Sequence, residues 1–87
     1  MQAFLAEFVG VAVFVLVILF TGHPIAIGLA LTLIIYAVRG MSGGHINPAV
    51  SVAMASLNKI SMPTLAGYVV AQTLGALLAV FLFKMMK

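Results

Sequence analysis

Few side chains in this sequence could do chemistry, and the most informative of them is an amide. Among 87 residues there is a single acid, Glu7, two histidines, His23 and His45, and no cysteine. No nucleophile, base and orienting group can be assembled from that set, which argues against an enzyme. Two separated histidines without a thiol do not make a metal site, and no cofactor is called for. What remains is the stretch SGGHINPAVSVAMASLN, residues 42–58. Asn47 is a strong N-cap type and Pro48 suits the first helical position, so a helix should start there, with Ala49 in its first turn.

A helix N-terminus carries about half a positive charge and several unpaired N–H groups. If the Asn47 side-chain oxygen caps that first turn, its NH2 is left pointing outward as a fixed pair of donors. The carbonyls just before it, on Gly43, Gly44, His45 and Ile46, would supply acceptors. Such an end welcomes oxygen lone pairs and repels protons and cations. Water or a neutral hydroxylated molecule fits it, and a metal ion does not.

The elements that hold this end must be membrane helices. Hydrophobic residues make up 66% of the chain and charged residues 6%, against roughly a quarter charged in soluble domains. The basic pI reflects missing acids rather than a basic patch, so nucleic acid is not an expected partner and the lipid bilayer is. The spacing predicts an all-α membrane protein with helices at 3–20, 25–38 and 62–85. TGHP at 21–24 joins the first two as a hairpin, and the first apolar run, which lacks a basic start and a small-x-small cleavage pattern, reads as a retained span. Between the second and third spans, glycines 40, 43 and 44 allow a re-entrant loop over 40–47, followed by a half-helix over 48–58. Its ten or so residues reach about half the hydrocarbon thickness.

Gly67, Ala71, Gly75 and Ala79 recur every four residues in the last helix, a seam that would let another helix approach closely. Ala6 with Gly10, and Ala49 with Ala53, suggest shorter seams. Gln72 reads as a bond to a neighbouring helix, His23 as solvated, and Arg39 and the lysines as interfacial anchors. Tyr36 and Tyr68 fit either an interface or a cavity wall.

The strings SGGHINPAVS, AEFVG in the first helix and GYVVAQTLGA in the last are together similar to the major intrinsic protein family of aquaporins and aquaglyceroporins. Members of that family resemble two copies of such a unit, fused with inverted topology. The resemblance therefore implies half of an aquaporin-like fold, completed by an inverted second copy of the chain. The implied assembly is an antiparallel homodimeric pore, with four such pores from eight chains as a larger cluster. Arg39 and Lys59 on one side balance Lys84 and Lys87 on the other, so the positive-inside rule permits both orientations.

By the same resemblance Glu7 and His45 would brace the re-entrant loop, Glu7 by accepting backbone N–H groups. Ile27, Ile35, Gly44 and Val50 match the positions of the family's selectivity constriction, with Ile27 contributed by one chain and the others by its partner. That ring lacks the usual arginine, which resembles the glycerol-conducting side of the family. The implied activity is a passive channel for water and small neutral solutes. A proton-coupled small exporter using Glu7, or a non-conducting fragment that needs another half, are the alternatives.

Overall fold

The computed structural model describes all 87 residues and contains four helices: α1, Gln2–Thr21; α2, Pro24–Ser42; α3, Pro48–Ser56; and α4, Met62–Met86. α1, α2 and α4 are long and apolar enough to cross a membrane. The chain is an integral, multi-pass membrane protein. α3 has nine residues, which at a rise of about 1.5 Å each gives about 14 Å, half of a hydrocarbon core about 30 Å thick.

Local signals set the boundaries. α1 stops because Gly22 turns left-handed at φ 57, its N–H bonding the Ile18 carbonyl, and Pro24 then opens α2. α2 runs past the expected limit of 38: residues 39–42 stay helical until Gly43, at φ 89, turns the chain. Gly40 is therefore helical, and the loop is 43–47 rather than 40–47. α3 ends at Ser56 rather than 58. Asn58 adopts a left-handed φ of 59, and the Asn58 and Lys59 N–H groups bond back to the Ala55 and Met54 carbonyls. That is a Schellman end, with asparagine in the position glycine usually takes. α1 and α4 depart from 3–20 and 62–85 only by single residues at their ends.

α1 packs against both α2 and α4, and α3 rests on α4. At Gly75 the backbones of α1 and α4 nearly touch: a Cβ there would collide with the Phe8 carbonyl and come within 3.2 Å of the Ala12 nitrogen. Ala71 and Ala79 flank that contact and are buried, whereas the nearest atoms to a Cβ on Gly67 would be those of the Phe4 ring. On another face of α1, a Cβ on Gly10 would lie 2.7 Å from Ile46 Cδ1. The loop thus leans on α1 near its midpoint. Ala49 and Ala53, expected to give α3 a packing face, are both exposed. Most of α2 also faces outward. The largest fully buried side chains are Glu7 and Ser51 rather than apolar ones, so the centre of the molecule is polar.

The two seam glycines should respond differently to an added methyl. Gly75→Ala is expected to destabilise by about 1–3 kcal/mol, the range for overpacking, and Gly67→Ala by clearly less, because an aromatic ring can turn aside and a main-chain carbonyl cannot. Equilibrium unfolding in mixed detergent micelles measures both. Equal losses would show that α1 and α4 are not locked at Gly75.

Candidate functional site

Glu7, on α1, has no exposed surface. Its Oε2 accepts from the Ser42 hydroxyl at 2.6 Å and the His45 N–H at 3.1 Å, and its Oε1 accepts from the Ile46 N–H and from Gln72 Nε2, each at 2.8 Å. Every partner is an uncharged donor. Two donors on each oxygen fill the acceptor capacity of a carboxylate, leaving none for a solute. Ser42 in turn accepts the Gly44 N–H at 3.1 Å, and its carbonyl accepts the Tyr68 hydroxyl at 2.6 Å.

These bonds determine which way the loop backbone faces. The N–H groups of Gly44, His45 and Ile46 all point inward, to Ser42 and Glu7. The carbonyls of Gly43, Gly44, His45 and Ile46 consequently accept no hydrogen bond from any group of the chain. Gly43 at φ 89 and Gly44 at φ 68 reach this geometry freely, but Ile46 at φ 55 is β-branched and strained, at a cost of roughly 1–3 kcal/mol. Its bond to Glu7 and the wedge of its side chain against Gly10 hold it there.

The strand of free carbonyls runs into Asn47. Its Oδ1 accepts the Ala49 N–H at 2.7 Å, which satisfies one of the orphan donors of α3 and turns the amide NH2 away from the helix. Asn47, Pro48 and Ala49 are exposed. Beside this tip a cleft of about 360 Å³ opens between α1 and α4, lined by Asn47, Pro48, Gln72 and Thr73 together with Val11 and Phe14.

Of the expected constriction residues, Ile35 meets Gly44, where a Cβ would lie 3.2 Å from Ile35 Cγ2. Val50 is half-buried on the first turn of α3. Ile27 stands eight residues along α2 from Ile35, about 12 Å away by helical rise, so within one chain it is apart from the other three. His45 reaches from the loop to α3, its Nδ1 lying 2.8 Å from Ser51 Oγ. Gln72 joins two helices to α4, donating to Glu7 on α1 and, at 3.0 Å, to Ser51 on α3.

Tyr68, left open between an interface and a cavity wall, is neither. It is buried beneath the loop, with its ring edge-on to His45 at 5.0 Å and to Phe4 at 5.7 Å. Tyr36 is exposed, with the Arg39 guanidinium 4.8 Å from its ring centre. Ser42, Ser51 and Tyr68 complete the network, and reasoning from sequence assigned none of them a part in it. The available signal was the hydroxyl of Ser51, one turn after Asn47 in an otherwise apolar helix start.

Comparison with known proteins identifies the family of the sequence that builds this site. The family model described as major intrinsic protein matches residues 18–87. A glycerol uptake facilitator-like protein of Lactiplantibacillus plantarum is 42% identical over 88 residues, covering 91% of this chain and 41% of that protein. Nodulin-26 of Glycine max is 48% identical over 62 residues, covering 71% of this chain and 23% of its own length. The lens fiber major intrinsic protein of Gallus gallus is 38% identical over 88 residues, covering 87% and 34%. The chain spans less than half the length of each of these relatives. With a match over most of its residues, including the loop, α3 and α4, the chain belongs to the major intrinsic protein family.

Proposed function

We propose that two copies of this chain, in opposite orientations, form a passive transmembrane channel for water and small neutral solutes such as glycerol. The observation that carries this reading is the row of four unpaired carbonyls leading to the capped Asn47. At membrane depth, backbone acceptors without partners are tolerated only where they line a water-filled cavity or are buried in protein. Water and hydroxyl groups can donate to the carbonyls and accept from the Asn47 amide, while the positive end of α3 disfavours protons and cations.

One α3 spans half of the hydrocarbon core, so the other half needs the same element from the opposite side. The cleft beside Pro48 is the natural seat for the α3 tip of an inverted copy. Each mouth would then combine Ile27 of one copy with Ile35, Gly44 and Val50 of the other, an apolar ring without a fixed cation. That composition favours solutes larger than water, in keeping with a relative named a glycerol uptake facilitator. Clustering of four such pores would use eight chains. The four occupied acceptor sites on Glu7 favour a channel over a proton-coupled exporter, which needs that acid open to a proton and to its cargo.

Liposomes containing only this chain, shrunk osmotically with glycerol and followed by stopped-flow light scattering, test the proposal. Fast shrinkage followed by fast re-swelling is expected; traces matching those of empty liposomes, with the protein shown to be folded, would overturn it. Asn47→Asp keeps the cap but exchanges the outward donors for an anionic oxygen, and is expected to raise potassium leakage while solute flux persists. Leakage that stays at the wild-type level would remove the amide from the account of cation exclusion. Val50→Arg should narrow both mouths and lower glycerol flux relative to water by on the order of tenfold, about 1.4 kcal/mol of barrier. An unaltered ratio would mean that Val50 does not line the constriction.

A further inference from the structure

Gln72 Oε1 is the one buried side-chain oxygen or nitrogen without a hydrogen-bond partner, in a residue that is 2% exposed. Its neighbours explain why. Gln72 Nε2 sits 2.8 Å from Glu7 Oε1 and 3.0 Å from Ser51 Oγ. Turning the amide over would set Oε1 against a carboxylate oxygen that can only accept. The amide is therefore held with its NH2 toward Glu7, both hydrogens committed and its carbonyl oxygen left over.

The constraint continues along the chain of contacts. Ser51 has no exposed surface, and its hydroxyl carries a single hydrogen. Because Gln72 donates to Ser51 Oγ, that hydrogen must go elsewhere. Ser56, on the same helix, spends its own on the Val52 carbonyl one turn back, but Ser51 makes no such bond. The acceptor in reach is His45 Nδ1, at 2.8 Å. A ring nitrogen that accepts is the one without a hydrogen.

We infer that Glu7, Gln72, Ser51 and His45 form a hydrogen-bond chain of fixed direction, in which Gln72 is the positioning residue that holds His45 as the tautomer bearing its hydrogen on Nε2. Glu7 thereby sets the state of an imidazole on the re-entrant loop without touching its ring. The same amide insulates the two groups, because an amide nitrogen donates its hydrogens but does not pass them on. The loop is tied to the buried acid through this chain by hydrogen bonds, with no path along it for a proton.

Nitrogen-15 NMR of the full chain in lipid bilayers, with labelled histidine and with His45 assigned by comparison with His23→Gln, reads the tautomer directly. The expected spectrum places the hydrogen on Nε2 and leaves Nδ1 bare. A hydrogen on Nδ1 in the wild-type protein would overturn the inference. Gln72→Glu substitutes an oxygen for Nε2; its single proton faces Glu7 and its lone pair faces Ser51, so Ser51 must accept from His45 and the hydrogen is expected to shift to Nδ1. An unchanged tautomer in a folded Gln72→Glu protein would likewise overturn it, and if that variant does not fold, the wild-type spectrum still decides. The measurement involves no flux, so this inference and the channel proposal fail independently.

Discussion

The convergence of four donors on one carboxyl is the constraint from which the rest of the structure follows. Glu7 is fixed on α1, and its partners come from the end of α2, the loop and the middle of α4. Because the loop N–H groups are drawn to it, the carbonyls must face the other way, and the left-handed turn at Ile46 is kept despite its strain. Removing an acceptor from a buried cluster costs more than the bonds it made, since the donors left behind are desolvated and unmatched. The cluster therefore behaves as a unit, and its parts cannot be loosened one at a time.

Close packing makes that unit possible. The acid can meet Gln72 only because α1 and α4 lie nearly backbone to backbone, and Gly75 permits that approach. On another side of α1, Gly10 leaves the room that Ile46 fills, which fixes how deep the loop sits. Two glycines on different helices thus set the distances over which the polar cluster closes. The strained loop is aligned by rigid contacts on both sides rather than by its own sequence.

Much of the site was legible where the governing chemistry is local. Asparagine followed by proline marks a helix start by capping alone, and the observed cap uses the adjacent turn. The end of α2 was less legible, because a glycine permits a turn without requiring one: Gly40 remains helical and Gly43 uses the freedom. The end of α3 was missed because Asn58 performs the role usually given to glycine. The parts of Tyr68 and Ser51 were hidden for a different reason, since their bonds join positions 26 and 21 residues apart and exist only once the helices are packed. Small-residue periodicity had a similar limit: it located Gly75 and also Ala49 with Ala53, yet could not say which face this chain covers.

The bond between Glu7 and Gln72 joins residues 65 positions apart, and that separation orders events during synthesis. The acid emerges with α1, its loop partners follow after α2, and the amide arrives only when α4 is half made. An acid inside a transmembrane segment is costly until it is matched, by about 2.5–3.5 kcal/mol at the centre of a span and less toward its ends. α1 must therefore carry an incompletely satisfied group until α4 is made. Entry of α4 completes the shell, so α4 latches the earlier-made α1 into the bilayer.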